Sequence, residues 1–312
     1  MEYFSFPTEI ESIWKQLPLL LGDTFGKQVE LIDFKVDLQR SDYLVISAIL
    51  DHPSLPVIVK LAGPQAEHVQ PFERTAAFTQ LVKNRTALPM PAVLALDTSL
   101  SRWPWRYLIR TYIPGQPWGV IRETLSPEEQ ADAYRQIGAA VAQLHSAHLP
   151  AFGEPGDDGN LIEALEFLPA FRQHSQRVIR NPGLRELFLT VIEVHQNLFG
   201  EVQDPCLSHE DLNQRNVLFH CQNGRWRLAT ILDMERCWAG HNEMDLARLE
   251  FWNGMTHPAF WKSYQESHTL NGEYPQRRQI YQLLWCLEGA DPEDPAPPGA
   301  RQLCADLDIP LG

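Results

Sequence analysis

The run SHEDLNQRNVLF, residues 208–219, spaces a histidine, an aspartate and an asparagine as His209-x-Asp211-x-x-x-x-Asn216. A second run, ILDMERCWAGHNEMDLA, residues 231–247, adds an acid at Asp233. Between them lies Asn223-Gly224, flanked by the strand-like VLFHCQ and RWRLATIL. An Asn-Gly pair is the strongest short signal for a two-residue hairpin, because both turn positions need a positive φ. Asn216 lies seven residues before Asn223 and Asp233 nine after Gly224, so a hairpin folded there returns both side chains to its open end. Asp211, five residues before Asn216, reaches the same place. Two hard oxygen ligands and a carboxylate able to accept a hydroxyl proton are what Mg²⁺-dependent phosphoryl transfer requires. Turn hydrogen bonding is the plainer use of Asp and Asn; an acid placed just beyond a hairpin argues against it.

These residues need elements to hold them. Residues 29–61 alternate in the manner of strands, VELIDFKVDL, YLVISAIL, a DHPS turn and LPVIVKL, and predict an antiparallel meander. Lys60 falls on the strand face of Ile58 and Ala62, which brings an ammonium against an apolar surface where it needs a partner. A helix is expected over FERTAAFTQLVKN with Pro71 in its first turn, then an extended LPMPAVLALD and a buried strand in WRYLIRTYI. IPGQPWG, residues 113–119, is a punctuated connector. Beyond it, Ser126 is placed to cap a helix over PEEQADAYRQIGAAVAQLHSAH, and further helices are expected over 160–200 and 241–288. PEDPAPPGA reads as a turn-rich connector. The fold class is α+β, with a sheet-rich region over 1–113 and a mainly helical one over 114–312.

At 312 residues the chain exceeds the size of one hydrophobic core, and nine Trp with fourteen Phe exclude a disordered protein. A formal charge of −14 excludes an extended phosphate-binding surface, so no nucleic-acid partner is expected, and it favours a cationic ligand. Five cysteines without C-x-x-C pairing fit neither a disulfide framework nor structural zinc. The first residues lack a basic start followed by an apolar run, and no stretch approaches a membrane span of ~18 apolar residues. A cytoplasmic enzyme without a membrane partner is the expectation.

The segments HEDLNQRN and ILDMERCWAGHNEMDLA resemble the aminoglycoside phosphotransferase family, which includes choline, fructosamine and hygromycin kinases. The resemblance covers most of the chain and implies the two-lobed protein-kinase-like fold, residues 1–113 binding nucleotide and 114–312 carrying the catalytic loop, metal site and acceptor-binding helices. It implies that Asp211 positions and deprotonates the acceptor hydroxyl, that Asn216 and Asp233 hold Mg²⁺, and that ATP or GTP is the donor. It makes His209 architectural, Asp245 the buried carboxylate that braces the catalytic loop, and Glu235 a contributor beside the metal. Lys60 becomes the ligand of the nucleotide phosphates with Glu73 as its pairing acid, Glu67 competing for that role. Ile58 becomes the cover of the adenine, and the backbone of Thr111 and Ile113 the partner of the purine edge.

Some positions depart from the family pattern. VDLQRSDYLV has no glycine where protein kinases carry a Gly-rich loop. Glu210 replaces a frequent Gly, and Gln214-Arg215 a frequent Pro-Gly. Arg215 is read either as a solvated loop side chain or as a contact for the transferring phosphate. No D-F-G or A-P-E triplet appears, which disfavours a protein kinase. Acceptor contacts are expected over 155–205 and from about 248 onward. There Phe251 and Trp252 stand where hygromycin kinases also carry aromatics, and Glu288, Asp291, Glu293, Asp294, Asp306 and Asp308 outnumber Arg301. The readings carried forward are an antibiotic-type O-phosphotransferase, a metabolite kinase of the choline or fructosamine type, and a nucleotide-binding pseudoenzyme.

Overall fold

The alternating segments of the first third pair as strands. In a computed structural model, β1 (Glu30–Gln39), β2 (Tyr43–Asp51) and β3 (Leu55–Ala62) form the expected antiparallel meander. β4 (Val93–Asp97) and β5 (Arg106–Thr111) complete a sheet of order β1-β2-β3-β5-β4. The structure describes residues 6–7, 10–64, 66, 69–252, 254–270, 272–288, 290 and 298–307. The chain divides into two compact units, Met1–Gln80 with Met90–Pro114, and Leu81–Pro89 with Gly115–Gly312.

In the first unit, successive residues of a strand face opposite sides, so Leu44, Ile46, Ala48 and Leu50 of β2 join Val57, Val59 and Leu61 of β3 in one core. Ile13, Leu17, Leu20 and Leu21 of α1 (Ile10–Phe25) close that core. Their spacing repeats at the helical period. Each such fully buried side chain contributes roughly 1.5–3 kcal/mol. The opposite sheet face carries Tyr43, Ala62 and Leu108 against Phe72 at the start of α2 (Phe72–Arg85). Pro71 sits just ahead of that helix rather than in its first turn, its carbonyl accepting the Thr75 N–H at 3.2 Å.

The second unit opens with the short β6 (Gln116–Pro117) and α3 (Trp118–Ile121). α4 (Pro127–His145) begins at a capping box, Ser126 Oγ accepting from the Glu129 N–H and Glu129 Oε2 from the Ser126 N–H. α5 (Phe167–Val178) and α6 (Pro182–Val194) fill the 160–200 region. β7 (Cys206–Ser208), β8 (Val217–Gln222), β9 (Arg225–Ile231) and β10 (Trp238–Gly240) frame the polar motifs. α7 (Asn242–Phe251), α8 (Pro258–Tyr264), α9 (Tyr274–Glu288) and an unanticipated α10 (Pro298–Asp306) follow. Phe152, Phe167, Phe171, Phe188, Phe199 and Trp238 pack with Ile280, Tyr281 and Leu284 as the core. A Cβ at Gly138 would stand 2.4 Å from the Phe260 carbonyl, so α4 and α8 need a glycine to approach as they do.

All five cysteines are free thiols. No described helix is long and apolar enough to cross a membrane.

Candidate active site

The Asn223-Gly224 turn has φ of 52° and 73°, and β8 and β9 pair on either side of it as the sequence requires. Val217 pairs with Ile231 and Leu218 with Thr230, while Phe219 pairs with Leu228, so Ala229 is the extra residue of a bulge. That bulge absorbs one of the two residues by which the arms of seven and nine differ. At the open end the Leu232 N–H donates to the Asn216 carbonyl at 2.8 Å, which sets Asp233 one residue beyond Asn216's partner. Asp233 takes the left-handed conformation, φ 73° and ψ 57°, ending the strand before the 3₁₀ turn Met234–Arg236 that carries Glu235. Asp is among the few side chains that tolerate this geometry.

Asp211 is gripped by two asparagines. Asn216 Nδ2 donates to the Asp211 carbonyl at 2.9 Å and to its Oδ2 at 3.0 Å. Asn213 Nδ2 donates to the same carbonyl at 3.0 Å and to Oδ1 at 3.2 Å. The carboxylate is thus oriented without a cationic partner among these contacts, and Asn216, its amide hydrogens turned toward Asp211, offers Oδ1 to a cation. His209 Nε2 lies 2.9 Å from the Leu232 carbonyl, which can only accept, so Nε2 carries the hydrogen and Nδ1 accepts the Asp211 N–H at 3.2 Å.

Asp245, in the first turn of α7 and fully buried, holds the loop from behind. Its Oδ2 accepts the His209 N–H at 2.7 Å and its Oδ1 the Glu210 N–H at 2.9 Å. His145 Nε2 donates to Oδ2 at 3.1 Å, His145 Nδ1 lies 2.9 Å from the Tyr264 hydroxyl, and Asn242 Nδ2 donates to that hydroxyl oxygen at 2.9 Å. Burial alone would raise the Asp245 carboxyl, but the hydrogen bond and charge of His145, aided by His209, hold it below the usual range.

Glu210 has φ 61°, a backbone conformation that glycine adopts without strain. Its Oε1 accepts from Ser208 Oγ at 2.7 Å and from Trp238 Nε1 at 3.3 Å, contacts that compensate for the strained backbone.

In the first unit, Lys60 is buried on the β3 face that also holds Ile58 and Ala62. Glu73, in the first turn of α2, accepts a short hydrogen bond from Thr98 Oγ1. Glu67 lies outside the described residues. The Thr111 N–H donates to the Ala92 carbonyl at 2.9 Å and the Ala92 N–H to Thr111 Oγ1 at 2.9 Å, which pins the end of β5 two residues before Ile113.

Among the described residues no group of three or more His, Cys, Asp or Glu side chains is placed to hold a metal. Asn216 and Asp233 nevertheless suit Mg²⁺, which takes one or two protein oxygens and fills its octahedron with phosphate and water.

Residues 41–280, well over half of the chain, match the phosphotransferase enzyme family, APH. The chain belongs to this family. No curated protein compared with it matches. Among solved structures, a thermostable mutant of aminoglycoside phosphotransferase APH(4)-Ia, in ternary complex with AMP-PNP and hygromycin B, superposes with a TM-score of 0.60 at 15% identity, over 94% of this chain and 96% of that one. Plasmodium vivax ethanolamine kinase gives 0.56 at 12% identity, over 97% and 90%. Spectinomycin phosphotransferase APH(9)-Ia, in complex with ADP and spectinomycin, gives 0.54 at 13% identity, over 88% and 86%. At these identities the likeness shows the kinase-like fold.

Several residues of this phosphotransferase that the motif reading missed carry the site's rigidity. Asn213, His145, Asn242 and Tyr264 lie outside the motif or at its unassigned positions, and only hydrogen bonding reveals them. Arg248, on α7, is buried to 4% exposure, with Nη2 3.1 Å from Glu288 Oε2 and its guanidinium 5.5 Å from the Trp285 ring centroid. Burial pulls it down to about 10. Glu288 also pairs with Arg236, so this member of the acidic tail is neutralised within the fold. Asp306 accepts from Gln302, and Asp291, Glu293, Asp294 and Asp308 lie outside the described residues.

Proposed function

We propose that this phosphotransferase moves the terminal phosphoryl group of ATP or GTP onto the hydroxyl of a small-molecule acceptor. The observation that carries the reading is the Asp211 carboxylate, aimed by Asn213 and Asn216 and standing on a loop that Asp245 locks from behind. Asp211 orients the acceptor hydroxyl and takes its proton. The acceptor oxygen bonds to the terminal phosphorus as the bridging P–O bond breaks, and the nucleoside diphosphate leaves with that electron pair. Asn216 Oδ1 and the Asp233 carboxylate would hold Mg²⁺, with Glu235 beside it; when bound, the ion offsets phosphate charge.

Lys60 would contact the nucleotide phosphates with Glu73 orienting it, Ile58 would cover the adenine, and the backbone of Thr111 and Ile113 would meet the purine edge. Residues 1–113 would then serve nucleotide binding and 114–312 the chemistry. Transfer of this type rests on positioning and charge stabilisation, which a preorganised loop supplies. A pseudoenzyme is disfavoured because Lys60, Asp211, Asn216 and Asp233 are all present.

Nucleotide turnover across hydroxyl acceptors, compared between wild type and Lys60→Ala and Asp233→Ala, tests the reading. Lys60→Ala is expected to weaken nucleotide use and Asp233→Ala to abolish metal-dependent turnover. Unchanged kinetics in both would reject the site.

A further inference from the structure

Beside the catalytic loop, within the second unit, lies a cavity of about 550 Å³. Its described lining is Pro117 and Val120 on one side, Asn213, Gln214 and Arg215 of the loop, and Trp252 just beyond α7. The volume suits a drug-sized molecule, within the usual range of roughly 300–1,000 Å³. Asn213 belongs to this lining and also donates to Asp211 Oδ1 at 3.2 Å, so the cavity adjoins the residue that aims Asp211.

The walls are fixed by hydrogen bonds. The Gly119 N–H donates to the Gln214 carbonyl at 3.1 Å, tying one wall to the catalytic loop. On the far side, Gly254 accepts from Trp118 Nε1 at 3.0 Å and from the Tyr134 hydroxyl at 3.1 Å. Gly254 has φ 80°, and a Cβ there would overlap the Arg122 guanidinium. The segment bearing Trp252 is therefore clamped to α3 and α4. Trp252 leans on Trp285, ring centroids 5.0 Å apart, yet remains 40% exposed, and Val120 is 61% exposed. A clamped tryptophan and an uncovered valine facing one cavity leave apolar surface for a ligand to bury.

Charge then selects the ligand. Among the described residues no Asp or Glu lines the cavity, and its charged side chain is the exposed Arg215. An acceptor with clustered ammonium groups would find no carboxylate in this described lining, with Asp211 alone beside it, and would meet a guanidinium. Resting on the phosphotransfer reading above, we infer that this cavity seats the acceptor and selects an apolar-faced alcohol that lacks clustered ammonium groups. Its apolar face lies on Trp252 and Val120, and its hydroxyl is presented to Asp211. This reverses, for this site, the cationic ligand that net charge alone favoured. It also draws residues 117–120 into acceptor recognition, outside the regions expected from the sequence.

The test measures transfer from Mg²⁺-nucleotide to two acceptor sets, polyammonium aminocyclitols and macrolide-type hydroxylated lactones, using wild type, Trp252→Ala, Val120→Asp, Arg215→Glu and Asp211→Ala. The inference expects turnover of lactones and not of aminocyclitols. Val120→Asp and Trp252→Ala should each raise the lactone KM by about tenfold or more, with kcat held within about threefold. Val120 and Arg215 are exposed, so those variants keep the test sound should Trp252→Ala perturb packing. No turnover of lactones, or turnover of aminocyclitols with a KM indifferent to Val120→Asp and Arg215→Glu, overturns the inference. If aminocyclitol turnover is lost in Asp211→Ala, the phosphotransfer reading stands while the inference fails. If any acceptor's turnover survives Asp211→Ala, the phosphotransfer reading itself fails.

Discussion

His209 Nε2 donates to the carbonyl of Leu232 at 2.9 Å, joining the loop that bears Asp211 to the residue just before Asp233. The same imidazole accepts the Asp211 N–H through Nδ1. A single ring therefore sets the spacing between the proposed base and the proposed metal carboxylate. Asp245 holds that ring's own backbone, His145 holds Asp245, and Tyr264 holds His145. Preorganisation of the site reduces to this chain of hydrogen bonds, most of it buried.

Asp245→Asn tests the brace. The amide keeps the shape but offers one acceptor where two backbone N–H groups and His145 require them, and it turns an NH₂ toward one of the donors. Leaving a buried donor unsatisfied costs about 1–3 kcal/mol, so the urea midpoint should fall by that equivalent and kcat should fall with it. Unchanged stability and activity would show that Asp245 does not brace the loop.

His241, ahead of α7, makes stability depend on pH. Burial, then the charges of Arg277 and His145, lower it from its ordinary 6.5 to about 3. Glu243 lies 3.8 Å from His241 Nδ1, but its carboxylate is committed to Arg277, which explains why it does not reverse the shift. The unfolded chain binds the proton below its ordinary value while the folded chain does not. Stability is therefore lost as pH falls from about 6.5 toward about 3, at about 1.4 kcal/mol per pH unit. His241→Asn, a residue suited to a helix N-cap, should flatten this slope in denaturant midpoints measured between those limits. An equally steep slope in the variant would contradict the assignment.

Arg277 and Glu243 form a buried fork, Nε to Oε2 at 2.7 Å and Nη2 to Oε1 at 2.8 Å, with Nη1 donating to the Leu198 carbonyl at 2.8 Å. Arg277→Met leaves Glu243 buried and unpaired, which should cost about 3–5 kcal/mol in chemical denaturation. The double variant Arg277→Met/Glu243→Leu should recover much of that loss. A double variant as unstable as the single one would show that packing, not charge, dominates there.

Motif residues were legible because local spacing alone brings them together. Asn223-Gly224 announces its turn, and Asp211, Asn216 and Asp233 follow from counting along the two arms of the hairpin. Lys60 was readable from strand alternation. The brace was readable only in part, since His145 and Tyr264 lie 100 and 19 residues from Asp245 and no local period links them. α1 carries a clear helical repeat in Ile13, Leu17, Leu20 and Leu21. The meaning of Glu210 needed its backbone angle, and the exposure of Trp252 needed the clamp at Gly254; neither follows from residue type.

Transfer of labelled terminal phosphate to an acceptor hydroxyl, measured in a single turnover beside direct titration of nucleotide binding, bears most directly on the role of Asp211. For Asp211→Asn the account predicts a transfer rate lower by about 10²–10⁴, the usual contribution of a general base, with nucleotide affinity little changed. Transfer at the wild-type rate in Asp211→Asn would contradict it.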